Sequence, residues 1–168
     1  MIVLPGVLGG AGLQGWRLDQ AIYASTWDSG EGAFRQGARW NKKGTRAVYS
    51  SVDAATAIME VAVHKTFPIL DTVPHVLTSY EVTDPSKVHV VWPADIPNPN
   101  WLLPGIPSAG QKQFGDDLLA KHLFVLLPSA VSRNSWNLLF DSVRAAGHYT
   151  LRSQDPFALD GRLNPPDP

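Results

Sequence analysis

Hydrophobic and polar positions along the chain predict short strands and a few helices without regular alternation between them. Residues 3–18 mix small apolar pieces with glycines, a pattern of strand or loop. Residues 25–45 are polar, basic and punctuated by glycine, which predicts loop. Residues 46–50 (RAVYS) alternate and carry a β-branched and an aromatic side chain, a short strand. Ser51 and Asp53 then offer an N-cap to AATAIMEVAVHK, a run of helix formers that ends with His64 and Lys65 near the negative end of the helix dipole. Residues 72–82 and 87–92 read as strands separated by a turn at 83–85. The proline-rich stretch 93–110 is irregular, and 114–121 predict a second helix. Residues 122–127 form an unbroken apolar run ending at Pro128, the signature of a buried strand. Residues 137–140 and 158–163 are weaker strand candidates, and the NPPDP tail (164–168) is expected to fray as a disordered end. Without β–α–β alternation, an α+β domain is favoured over a doubly wound sheet.

Composition narrows the function classes. The chain has 168 residues, 44% hydrophobic and 17% charged, enough for one core. A formal charge of -1 argues against a surface that grips nucleic acid or anionic lipid all round. There are no cysteines, which removes disulfides, thiol nucleophiles and cysteine zinc sites, and a reducing cytoplasm is the expected compartment. The apolar start MIVLPGVLGGAGLQG carries no Lys or Arg and is broken by Pro5, so it is not read as a signal peptide. No stretch approaches the roughly 20 apolar residues of a membrane span, so no membrane partner is expected.

Three features bear on chemistry. Gly10 to Gly15 fit the G-x-G-x-x-G dinucleotide pattern, but the strand before it is broken and no helical pattern follows, so a glycine-rich turn is the favoured reading. Arg35, Arg39, Lys42, Lys43 and Arg46 cluster without an acidic residue, either as an anion site or as a solvated loop; Trp40 and Asn41 beside Arg39 favour a nucleotide. Glu60 lies in a helix apolar on almost every face and is expected to be buried. A buried carboxylate needs a partner, so Glu60 is either catalytic or ion-paired with Arg39 or Arg46. His64, one turn on, makes a metal pair conceivable but supplies too few ligands for a zinc motif.

In this order, GAFRQGARWNKKGTRAVYSS, EVAVH, LPSAVSRNSWNLL and FALDGRL resemble the RES domain family, from Trp16 to Leu163. The preceding residues 1–15 are expected to form an N-terminal extension or strand. The resemblance implies a single domain similar in fold to ADP-ribosyltransferases, with a central mixed sheet and packed helices. It also implies a toxin of a bacterial toxin–antitoxin pair that consumes NAD+ and needs no metal. Carried over by motif, Arg39, Tyr49, Glu60 and Ser129 match the family's arginine, tyrosine, glutamate and serine, and Asn137 its asparagine. The family usually has Gly-Gly where this chain has Gly37-Ala38, and asparagine-proline where it has Asp141-Ser142.

On this reading Glu60 stabilises charge on the ribose, and Arg39 with Arg17 clamps the pyrophosphate. Tyr49 or Trp40 stacks on a ring, with Asn41 nearby, and Ser129 orients ribose or nicotinamide. The acceptor of ADP-ribose is a protein, phosphate or water. The resemblance further implies an oligomeric complex with a helix-turn-helix antitoxin that blocks the site, contacting the basic loop. The competing readings are a non-enzymatic nucleic-acid module built on that loop, and an interaction protein in which Glu60 is structural.

Overall fold

The computed structural model describes residues 12–166. Among the described residues seven strands form one sheet in the order β4-β5-β6-β2-β1-β3-β7. They are β1 Gln14–Gln20, β2 Ala47–Ser51, β3 His75–Val82, β4 Val88–Val90, β5 Phe124–Pro128, β6 Trp136–Asp141 and β7 Tyr149–Phe157. Only β4 and β5 run parallel; the other pairs are antiparallel, so the sheet is mixed. The helices are α1 Glu31–Gln36, α2 Ala54–Thr72 and α3 Ala109–Lys121. The α+β architecture expected from the sequence is the one observed.

Strand periodicity explains where the core sits. The uninterrupted FVLLP of β5 sends Phe124 and Leu126 to one face and Val125 and Leu127 to the other, and all four are buried. The first face gathers Trp27, Val48, Tyr80 and Phe140. The second gathers Trp40, Trp101, Leu119 and Leu139 beneath α3. A third, smaller cluster of Leu18, Ala62 and Leu70 seats α2.

Several local expectations needed correction. Residues 25–45, read as loop, contain α1, and a 3-10 turn spans Ala21–Thr26. Residues 158–163, read as a strand, hold a 3-10 turn at Gly161–Leu163 in which the Asp160 side chain accepts from the Arg162 amide. The neighbouring β7 was not foreseen. Its side chains are mostly exposed and polar, and Ser153 and Gln154 hydrogen-bond Ser79 and Thr78 of β3 instead of filling a core. The helix over 114–121 begins earlier, at Ala109, where Ser108 accepts from the Gln111 amide. The proposed glycine fingerprint falls partly outside the described residues; its last glycine, Gly15, lies in β1, so a strand follows where a helix is required.

Asp53, not Ser51, caps α2, accepting from the Thr56 amide at 2.7 Å and from Ser135 Oγ at 2.6 Å. Burial pushes the Asp53 carboxyl up, but these hydrogen bonds outweigh it and hold its pKa below the usual value. The helix runs past Lys65 to Thr72, with a break at Thr66 (φ 64°, ψ 157°), two residues before Pro68. Proline has no amide to continue the ladder, and a β-branched residue rarely adopts such a φ, so strain is concentrated there. The chain is not buried all round this helix, as its apolar sequence suggested: Met59 and Val63 are exposed.

One glycine positions the second layer. A Cβ on Gly115 of α3 would lie 1.9 Å from the carbonyl oxygen of Trp40, so only glycine lets α3 approach this close to the 38–41 turn. Gly115→Ala should therefore lift the turn from α3 and destabilise the protein by about 1–3 kcal/mol. Urea unfolding measures this, and the unchanged midpoint of a well-folded variant would contradict the packing described.

Candidate active site

The site is assembled where three strands and α2 meet. Trp16 of β1 pairs in register with Ser51 of β2, and Ser51 with Asn137 of β6, placing the three in one row. β1 and β2 share that single register pair, whereas β1 and β3 share seven, so the sheet opens on this side. Arg17 closes part of the gap by donating Nη1–H to the Tyr49 carbonyl at 2.7 Å. Glu60 of α2 crosses above the row. Its Oε1 accepts from Ser129 Oγ at 2.8 Å and from Asn137 Nδ2 at 2.7 Å. Ser51 Oγ donates to Asn137 Oδ1 at 3.0 Å, which fixes the amide so that its NH2 faces the carboxylate.

Glu60 is half-buried rather than buried, and no cation pairs with it among the described residues. The alternative of an ion pair with Arg39 or Arg46 is excluded on these contacts: Arg39 donates to the Trp101 carbonyl, and Arg46 pairs with Glu31. Both hydrogen bonds arrive at Oε1, while Oε2 has no protein partner among the described residues. Neutral donors satisfy one oxygen and leave the charge and the second oxygen available.

A cleft of about 310 Å³ opens over this carboxylate. β1 contributes Trp16, Arg17 and Asp19; β2 contributes Tyr49 and Ser51; α2 contributes Glu60, Val61, His64 and Lys65; and the 38–41 turn contributes Arg39. Arg17 is forked on Asp19 at 2.8 and 2.7 Å, so its charge is largely matched. Arg39 has no acidic partner among the described residues and is the cleft's open guanidinium. Burial pushes the Tyr49 phenol up, so it stays neutral, accepting from the Trp40 amide at 3.0 Å and donating to Asn41 Oδ1 at 2.7 Å. Among the described residues no three His, Cys, Asp or Glu side chains converge as metal ligands.

The structure brings most of the candidate residues together but changes several roles. Ser129 is 0% exposed and does not line the cleft; it accepts from the amides of Val131 and Ser132 and holds Glu60 from behind, so it cannot orient ribose directly. Trp40 borders the cleft, but it is 1% exposed and its ring packs against Trp101 and Phe114, so it serves the wall more than a stacked ligand. Asn41 is 0% exposed, and its NH2 donates to the carbonyls of Ala33, Lys42 and Thr45, so it organises the loop rather than meeting a nucleotide. The five-residue basic cluster does not act as one anion site: Arg35 and Arg46 share Glu31, Lys42 bonds Gln113, and Arg39 alone of the five lines the cleft.

Sequence reasoning gave no role in the site to Trp16, Ser51, Asp19 or Lys65. The paired register of β1, β2 and β6, which no local pattern encodes, is what selects the first two. The departures from the family pattern are benign in geometry. The left-handed backbone (φ 71°) falls on Gly37, and Ala38 beside it keeps an ordinary negative φ. Asp141 caps the Val143 and Arg144 amides in a turn outside the cleft.

Comparison with known proteins agrees with this arrangement. The family model described as RES domain matches residues 14–160. A Yersinia enterocolitica protein named Toxin Res (serotype O:8 / biotype 1B) is 32% identical over 148 residues, covering 83% of this chain and 91% of that one. The crystal structure of the M. tuberculosis MbcT-MbcA toxin-antitoxin complex contains a chain of the same fold, with TM-score 0.71 and 20% identity, over 88% of this chain and 85% of that one. Motifs, fold and relatives converge, and the chain belongs to the RES domain family.

Proposed function

We propose that the chain is the toxin of a bacterial toxin–antitoxin pair and that it cleaves the nicotinamide–ribose bond of NAD+, passing ADP-ribose to an acceptor. The observation that carries this reading is the carboxylate of Glu60, a cleft-lining residue fixed at Oε1 by Ser129 and Asn137 and without a partner at Oε2 among the described residues. The naming of the Yersinia relative as a toxin, and the presence of a toxin with its antitoxin in the mycobacterial structure, support the cellular role. The partner is then an antitoxin of the helix-turn-helix type, set over the cleft.

In the reaction the bond from ribose C1′ to the nicotinamide nitrogen breaks, and its electron pair goes to that nitrogen. The positively charged ring therefore leaves neutral without an acid. Positive charge develops on the ribose, as in glycoside hydrolysis. An ionised carboxylate already held in place stabilises that charge without reorganising. The acceptor oxygen, from a protein, phosphate or water, then bonds to C1′ and loses its proton. Arg39 suits the pyrophosphate, because its remaining N–H groups form a fork. Arg17, matched by Asp19, positions Tyr49 and the β1–β2 junction. Tyr49 is the cleft aromatic on β2, and Trp16 flanks the row from β1.

Purified chain, freed of any partner, incubated with NAD+ should release nicotinamide. A requirement for phosphate identifies a phosphorylase, label entering a lysate protein identifies a transferase, and release in plain buffer identifies a glycohydrolase. No release in any arm from folded protein, with salt-dependent RNA or DNA binding lost on replacing Lys42 and Lys43, would instead establish the nucleic-acid module.

Ser51→Ala should lower kcat about tenfold with little change in KM, because the Ser51 hydroxyl is spent on the Asn137 amide, which then loses its orientation toward Glu60. Ser51→Thr, which keeps the hydroxyl, should retain activity. Equal losses in both variants would refute the positioning role.

A further inference from the structure

Arg39 lines two cavities at once. Beyond the Glu60 cleft lies a second cavity of about 300 Å³, whose wall includes Asn98, Asn100, Trp101, Ile106 and Gln111. Arg39 stands between them, moored by one Nη1 bond of 2.8 Å to the Trp101 carbonyl, which occupies one of its five N–H groups. The far wall is fixed. Trp101 is buried with its ring centroid 6.3 Å from that of Trp40, Asn98 Nδ2 donates to Gln111 Oε1 at 2.8 Å, and Gln111 Nε2 donates to the Arg39 carbonyl at 3.3 Å.

The rim is not committed in this way. Ile106 is 95% exposed and Leu103 62% exposed, on a loop rich in proline. Asn100 uses its backbone amide in a bond to Asn98 Oδ1, while its side chain has no hydrogen-bond partner among the described residues. Single exposed apolar residues are ordinary on protein surfaces, but these two edge a concavity that has a guanidinium at one end and carboxamides along it. That combination suits a flat, hydrogen-bonding heterocycle joined to a phosphate.

The size of the first cleft points the same way. At about 310 Å³ it stands at the bottom of the roughly 300–1,000 Å³ range of small-molecule sites. A volume of that order matches one half of a dinucleotide, which leaves the other half to extend past Arg39. We propose that the second cavity is the subsite for the adenosine half of the dinucleotide. Arg39 holds the pyrophosphate at the junction while Glu60 faces the nicotinamide ribose. The inference rests on the NAD+ reading above and adds to it a site on the loop between β4 and α3.

The test compares wild type with the double variant Asn100→Ala/Ile106→Ser, both positions being exposed and outside the Glu60 cleft. Nicotinamide release is measured from NAD+ and from nicotinamide mononucleotide, which lacks the adenosine half, and ADP binding is measured by calorimetry. The variant should raise KM for NAD+ about tenfold, leave kcat and the mononucleotide reaction unchanged, and weaken ADP binding by a similar factor. ADP has no scissile bond, so its selective loss in the variant supports the subsite even where no turnover is seen. ADP bound equally by both proteins, or by neither, overturns the subsite, and nicotinamide release from NAD+ by wild type then leaves the reaction standing.

Discussion

Two hydrogen bonds onto one carboxylate oxygen tie α2 to the strands beneath it. Ser129 stands at the end of β5 and Asn137 near the start of β6, so Glu60 joins three elements that are distant in sequence. A second tether, Ser135 to Asp53, fixes the beginning of the same helix to the turn between those strands. With both in place α2 cannot slide or rotate along the sheet, and the cleft takes its shape from that restraint. Nothing cationic shares Glu60 among the described residues, so the restraint is made by neutral donors alone.

The other wall is held differently. The 38–41 turn rests on α3 through the close approach at Gly115, and Asp116 accepts from the Lys42 amide at 3.1 Å and from Thr45 Oγ1 at 2.7 Å. Arg39 is thereby presented on a backbone fixed from below, with its side chain moored to Trp101. The cleft thus sets an anion on one rigid wall against a cation on the other. Such an arrangement suits a ligand with a developing positive centre and a negatively charged bridge.

Much of this was legible in the sequence. A lone glutamate in an apolar helix is a residue needing explanation, and the apolar run ending at Pro128 was consistent with the buried strand it forms. Asp53 followed by helix formers carried its cap openly, whereas the start of α3 at Ser108 lay hidden in a proline-rich stretch. What stayed hidden depended on contacts between distant segments. β7 is an edge strand whose middle, residues 150–156, is exposed but for Ser153, with only Tyr149 and Phe157 at its ends packing on the core, so it lacks the apolar alternation by which strands are recognised. Trp40 and Asn41 look like ligand contacts beside an arginine. Their burial comes from α3 packing over them, which their own neighbourhood does not reveal. Ser129 is distinguishable as a support rather than a contact only once Glu60 is seen between it and the cleft.

The central claim is that Glu60 acts through its fixed position as well as its charge. The most direct test is turnover of NAD+ by Glu60→Asp, set beside Glu60→Gln. The aspartate keeps the charge but is one methylene too short to remain on both Ser129 and Asn137. The account predicts that Glu60→Asp loses about 10²–10³-fold in kcat, as Glu60→Gln does, with the fold intact. Near-normal turnover by Glu60→Asp would show that a negative charge anywhere in the cleft suffices, and would contradict it.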